Sequence, residues 1–136
     1  MTLRYLLDTN IVSYYVRRSS PALENRVNDA LTRQTIAISV LTRAELRFGQ
    51  AGMQADDKRR SFIDHFLIRL PNLVWTSNAA DRYGDIKALH KRQGTPIGEI
   101  DTQIAAHALA EGLILVTHNT KHFDKVPGLK LEDWMV

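Results

Sequence analysis

Asp8, Glu45, Asp101 and Asn119 are the side chains of this sequence whose types and positions point to chemistry. Asp8 closes the apolar run Leu3-Arg4-Tyr5-Leu6-Leu7, and Asn119 follows Leu113-Ile114-Leu115-Val116-Thr117 in the same way. Short apolar runs ended by turn residues read as buried strands. In an α/β sheet, ligands bind in the crevice beyond the carboxyl ends of the strands. Two oxygen-bearing side chains just past two strands can therefore point into one cleft. Glu45 and Asp101 fall on the apolar stripes of predicted helices, where an unpaired carboxylate is costly to bury. A hard divalent cation removes that cost, because Mg²⁺ takes carboxylate oxygens and keeps several of its waters. The pattern points to metal-dependent phosphodiester chemistry.

Each acid also has a plainer explanation. Aspartate is favoured in turns and as a helix N-cap, which accounts for Asp8. Thr42-x-x-Glu45 matches a capping box, in which threonine caps a helix and glutamate reaches back to its amide. Asp101 lies in a first helical turn, where any carboxylate gains from the helix dipole. Taken together the three are harder to set aside, since all fall at one edge of the expected sheet. Glu99, two residues before Asp101, reads equally as a supplementary ligand and as a solvated first-turn acid. Asn119 offers a neutral oxygen ligand, or is a plain turn residue.

His118 and His122 stand four apart, as zinc ligands on a helix would, but no Glu follows His118 as HExxH requires. His65, His90 and His107 read as helix residues, with His107 a candidate support for the site. Ser39 reads as a support for the loop before the Glu45 helix, since nothing marks a base beside it. Arg43 and Arg47 flank Glu45, and Lys87, Lys91 and Arg92 form a basic stretch. Such charges form a solvated face or meet phosphates.

The elements that must position these residues follow from period and punctuation. Strands are expected over Leu3–Leu7, Thr35–Ile38, Leu73–Trp75 and Leu113–Thr117, with a short final segment over Leu129–Trp134. Helices are expected from Ile11 to Val16 and from Pro21 to about Thr32. Another spans about 41 to 51, with Leu41, Ala44, Glu45, Phe48 and Ala51 on its stripe. The rest run from the polar start at Asp56 to Leu70, from Ala79 to Arg92 behind an Asn78 cap, and from Glu99 or Ile100 to Glu111. Strands alternating with helices imply a parallel sheet covered on both faces.

The chain has 136 residues, which suits one domain over 1–136 with a substantial core. It has no Cys, which excludes disulfides, thiolate metal sites and thiol catalysis. Arg4 and Asp8 interrupt any signal-like core, and no apolar run approaches the about 20 residues of a membrane helix, so a cytoplasmic protein with no membrane partner is expected. The net charge of +3 is a weak pointer to an anionic partner. It gains meaning because the candidate site is acidic, leaving the positive charge elsewhere to steer a polyanion.

The sequence resembles the PIN-domain ribonucleases, and specifically the VapC toxins of bacterial toxin–antitoxin pairs. The likeness rests on Leu6-Leu7-Asp8-Thr9-Asn10-Ile11, on Ile38 to Leu46, on Gly94-Thr95-Pro96-Ile97-Gly98-Glu99-Ile100-Asp101, on Ile104-Ala105-Ala106-His107-Ala108, on Val116 to Phe123 and on Leu131-Glu132-Asp133-Trp134. It covers essentially the whole chain in order. It implies an α/β/α sandwich with a central parallel sheet, a homodimer, and Mg²⁺- or Mn²⁺-dependent endonuclease activity on RNA. It also implies neutralisation by a VapB-type antitoxin whose tail fills the active-site groove, with operator DNA met only through the antitoxin. The family's catalytic acids map onto Asp8, Glu45 and Asp101. Many members carry a fourth aspartate where this chain has Asn119. A neutral amide contributes less to divalent binding, so one well-held ion and at most a weak second are expected, with Glu99 a candidate substitute ligand. Thr117-His118-Asn119-Thr120 is similar to the enteric VapC subgroup, associated with cutting initiator tRNA in the anticodon region.

Two rival aspartate enzymes fit less well. A HAD-type phosphatase needs an acid two residues after the first aspartate, where Asn10 stands. A phospho-acceptor receiver domain wants an acidic pair before its site, and Arg4 and Tyr5 supply none. A PIN-like module that binds RNA or a partner without cutting is the alternative from another class; Asn119 speaks for it and the three acids against it.

Overall fold

The computed structural model describes residues 2–136. Twice a single residue ends a strand and caps the helix that follows. β1 (Tyr5–Leu7) gives way to α1 (Thr9–Val16) at Asp8, whose carboxylate accepts the Ile11 amide at 2.7 Å. After α2 (Pro21–Arg33), which starts with Pro21 behind a Ser20 cap, β2 (Ile36–Ser39) passes straight into α3 (Val40–Ala51). Ser39 makes that second junction, its hydroxyl accepting the Leu41 amide at 3.0 Å. The chain continues through α4 (Lys58–Arg69), β3 (Asn72–Leu73), α5 (Ser77–Gln93) and α6 (Glu99–Glu111). Gly112, at φ +67, ends α6 in the left-handed region that a side chain would strain. β4 (Ile114–Val116), α7 (Thr120–Phe123) and β5 (Leu131–Glu132) complete the fold.

The five strands pair in parallel in the order β3-β2-β1-β4-β5. Alternation along β1 sends Leu7 to one face and Leu6 to the other. Leu7 joins a core with Ile11, Leu23, Ile38 and Phe66 under α1 to α4. Leu6 joins a second with Ile104, Leu115 and Phe123 under α5, α6 and α7. The result is the expected α/β/α sandwich. Among the described residues, no helix is long and apolar enough to cross a membrane.

Several local expectations change. The third strand covers Asn72–Leu73 rather than Leu73–Trp75, because Val74 turns its carbonyl toward His107 Nε2 at 3.1 Å and leaves the ladder. Thr76, not Asn78, caps α5 by accepting the Ala79 amide at 3.1 Å, while Asn78 donates across to the Ala110 carbonyl. The capping box at Thr42 and Glu45 is absent. The helix begins earlier, with Ser39 as its cap, so Thr42 lies within the first turn and shares a hydrogen bond with the Thr9 hydroxyl at 3.0 Å. The stripe read on α3 also faces the other way. Thr42, Leu46 and Gln50 are its buried side, whereas Ala44, Glu45, Ala51 and an 85% exposed Phe48 face solvent.

Candidate active site

The chain runs from β1 outward to β2 and β3 on one side, then returns to β4 and β5 on the other. β1 and β4 therefore flank the point where strand order reverses, which is where open α/β sheets bind their ligands. The register Leu7↔Val116 places Asp8 opposite Thr117 there, and the Asp8 amide donates to the Val116 carbonyl at 3.0 Å. Asp8, Asn10, Tyr14, Thr117, His118 and Asn119 line an open cavity of about 240 Å³. A larger hollow of about 440 Å³ lies among Leu31, Ile36, Ile68 and Leu70, but no acid lines it, so chemistry rather than size selects the site.

Asp8 is 4% exposed. Burial pushes its carboxyl up to about 6, against the downward pull of the Thr117 hydroxyl and the Ile11 amide, and the charges of Asp101 and Asp133 raise it further. Asp101, half-buried in the first turn of α6, has the larger effect of those two charges. His122 Nε2 lies 2.9 Å from Asp101 Oδ2 and 2.7 Å from the Ile97 carbonyl. Both of those oxygens accept, so Nε2 carries the ring proton and shares it between them.

The other candidates are placed differently. Glu45 is exposed on α3, and no hydrogen bond or ion pair engages it among the described residues, so the expected desolvation cost falls on Asp8 instead. Glu99 turns toward α5, where the Tyr83 hydroxyl donates to it and Lys87 Nζ lies 3.1 Å away. That hydroxyl and then Lys87 hold its carboxyl below the usual range. Asn119 is exposed and caps α7 without a side-chain bond, while its amide donates to Thr117 Oγ1 at 3.0 Å. Arg43 donates to Asn72 at 2.8 Å, and Arg47 meets Asp64 at 2.5 Å and Gln50 at 2.8 Å. Lys91 and Arg92 are exposed and free of such contacts among the described residues. α5 and α6 lie antiparallel, tied by Asn78 to Ala110 at one end and Lys87 to Glu99 toward the other. The basic end of α5 thus adjoins the end of α6 that carries Asp101.

His118 and His122 do not share a helix, since His118 precedes the Asn119 cap. His118 Nδ1 bonds Asp133 at 3.0 Å and His122 serves Asp101, so the pair forms no zinc site. Sequence reasoning missed Thr117 and weighed His122 only as a zinc ligand, not as the partner of Asp101. Thr117 was findable, because two parallel strands ending in Asp8 and Thr117 stand side by side once aligned at their carboxyl ends. His122 carried no such signal, since the one-turn α7 is too short to leave a period.

Residues 5–129 match the PIN domain. The chain is 37% identical over 132 residues to the tRNA(fMet)-specific endonuclease VapC of Shigella flexneri, covering 97% of this chain and 98% of that protein. It is 39% identical over 133 residues to ribonuclease VapC2 of Haemophilus influenzae, covering 98% and 99%. In structure it is similar to a chain of the DNA-bound VapBC complex of Salmonella typhimurium, with a TM-score of 0.88, 33% identity and coverage of 97% and 98%. It is also similar to a chain of Rickettsia felis VapBC2 bound to a promoter DNA fragment, with a TM-score of 0.87, 34% identity and coverage of 98% and 99%.

Proposed function

The chain belongs to the PIN-domain family, in its VapC branch, and from that premise we propose that it is a divalent-metal-dependent endoribonuclease, the toxin of a VapBC-type toxin–antitoxin pair. The observation that carries this reading is Asp8, a carboxylate buried at the β1/β4 crevice and raised to about 6 with the Asp101 charge beside it. Such a group is poised to gain a cation.

The donor set fits a hard ion. Among the described residues, no three His, Cys, Asp or Glu side chains stand close enough together to hold a metal by themselves. Mg²⁺ or Mn²⁺ needs only one or two carboxylates, because it retains several waters. Asp8 and Asp101 would hold it, with Asn119 as a neutral oxygen. Glu45, exposed on α3, would act as a base through water and become a ligand only by moving its side chain inward. Glu99 joins only by leaving Tyr83 and Lys87. An ion held there would supply a lowered pKa for a bound water and neutralisation of charge on the phosphate. The chain's own residues do the aiming. Ile11 and Thr117 fix the Asp8 carboxylate, and the shared Nε2 proton of His122 orients that of Asp101. Lys91 and Arg92, exposed and without hydrogen bonds or ion pairs among the described residues, are the cations this reading assigns to the RNA backbone.

The named relatives extend this reading to substrate and partners. One relative is named a tRNA(fMet)-specific endonuclease and two similar structures are VapBC complexes on DNA, which supports a tRNA substrate and an antitoxin partner. We propose in addition a cut in the anticodon region, a homodimer, and an antitoxin that fills the groove and alone contacts operator DNA. The solvent-facing apolar side of α3, with Phe48, supports an assembled state. The test is incubation of total RNA with purified protein and Mg²⁺, mapping new 5′ ends, beside Asp8→Asn. A single cut in a tRNA loop, lost in the variant and in chelator, is expected. A folded Asp8→Asn protein that cleaves at the parent rate overturns the assignment.

A further inference from the structure

His107 and Ser39 are both fully buried, on α6 and at the β2–α3 junction, and they touch. His107 Nδ1 lies 2.8 Å from Ser39 Oγ, and its Nε2 lies 3.1 Å from the Val74 carbonyl. A carbonyl only accepts, so Nε2 bears the proton. Burial pushes the His107 pKa down and keeps the ring neutral, which leaves Nδ1 as an acceptor. The Ser39 hydroxyl must then donate to Nδ1 while accepting the Leu41 amide at the start of α3. Every proton of the chain Leu41, Ser39, His107, Val74 is thereby assigned, and Trp75 closes over the ring at 5.4 Å, edge to face.

The ends of this chain matter because of what the two helices carry. α6 bears Asp101 six residues before His107, about 9 Å along the axis. α3 bears Glu45 in its second turn. On its other flank α3 is held by the Thr42–Thr9 hydroxyl pair, one residue beyond Asp8. The helix carrying Glu45 is therefore clasped to the Asp8 segment on one side and to the Asp101 helix on the other. Glu45 itself has no partner among the described residues, so its place depends on how its helix is seated.

We propose that His107 is a positioning residue, whose neutral, Nε2-protonated ring locks the start of α3 against α6 through Ser39 and so fixes Glu45 relative to Asp8 and Asp101. This rests on the metal-dependent nuclease reading above. It requires no contact of His107 with ion or RNA.

The test uses the full chain with Ser39→Ala, Ser39→Thr, His107→Gln and, as reference, Glu45→Gln. Mn²⁺ affinity by calorimetry and the kcat and KM of RNA cleavage are read at a temperature where each variant is folded. Ser39→Ala and His107→Gln are expected to lose on the order of tenfold in Mn²⁺ affinity or kcat, the scale of a lost ligand-orienting contact, with KM for RNA unchanged. Ser39→Thr, which keeps the hydroxyl, is expected to recover both. A residue that only supports the fold would lower the melting temperature and leave the affinity and kcat of the folded protein alone, and that result overturns the proposal. If Ser39→Ala does not fold, His107→Gln decides by the same readings. Impairment of Glu45→Gln with both clasp variants normal sinks the clasp alone. A normal Glu45→Gln removes Glu45 from the site, and the clasp falls with that reading.

Discussion

Asp8 holds a carboxylate where solvation is poorest, and the consequence is a stability cost that a metal would relieve. Its pKa of about 6 lies above the ordinary 3.8, so between those values the folded protein keeps a proton that the unfolded chain releases. The sign follows: Asp8 costs nothing below about pH 3.8, and up to about 3 kcal/mol of metal-free stability has gone once pH exceeds 6. Asp8→Asn keeps an oxygen for the Ile11 amide and removes the charge. It is expected to raise the melting temperature of metal-free protein at pH 7.5, with the gain vanishing near pH 4, while Mg²⁺ stabilises only the parent. Thermal scans across pH with and without Mg²⁺ check this, and a less stable Asp8→Asn at pH 7.5 counts against it. Asn119 gives the complementary case. A neutral amide contributes less than a carboxylate to divalent binding, so Asn119→Asp is expected to tighten Mn²⁺ binding. Calorimetry showing two tight ions already in the parent would contradict the single well-held ion.

At the scale of elements, what was legible in the sequence was whatever a local signal marks. The strand ends at Asp8 and Thr117, the Pro21 start of α2 and the Gly112 stop of α6 follow from short-range rules. The face of α3 did not. Leu41, Ala44, Phe48 and Ala51 recur at helical spacing, yet the buried side is Thr42, Leu46 and Gln50, because two polar groups find partners inside. Periodicity reports that a face is apolar, not whether this chain or another covers it. Gln50 shows the energetic side. Its Nε2 donates to the Arg60 carbonyl at 2.8 Å and to Asp64, while Arg60 returns hydrogen bonds to the Gln50 and Met53 carbonyls at 2.7 and 3.2 Å. Arg60 thus adds a charged donor to the Gln50 carbonyl, which also accepts the Met53 amide at 3.0 Å, and to the Met53 carbonyl just beyond α3. Arg60→Ala is expected to cost about 1.5–3 kcal/mol in urea unfolding, the range for a hydrogen bond to a charged group, yet to leave cleavage per folded molecule intact. Loss of activity in proportion to no stability change would show that this end of α3 belongs to the site instead.

At the scale of the whole molecule, fewer of the cations flanking the acids stand unengaged than the sequence suggests. Of the five cations flanking the acids, Arg43, Arg47 and Lys87 are spent on Asn72, on Asp64 with Gln50, and on Glu99 with Tyr83. Lys91 and Arg92 remain, at the end of α5 that adjoins the Asp101 end of α6. A metal held at Asp8 would meet phosphates, which carry no base identity, so choice of substrate would come from how an RNA's shape fits around it. Loops with splayed bases suit that better than A-form duplex, whose deep major groove side chains cannot read. If Lys91 and Arg92 each neutralise one phosphate of a single-stranded loop, replacing both with alanine should flatten the plot of log affinity against log salt by about 1.4. Affinity should fall most at low salt, and cleavage should stay at the same nucleotide, because these residues supply attraction rather than register. Arg47→Ala, whose guanidinium is already paired, should leave the slope unchanged. Binding to a catalytically silent Asp8→Asn background, titrated from low to moderate salt, measures all three. An unaltered slope in Lys91→Ala/Arg92→Ala would move the phosphate contacts to another face of the protein.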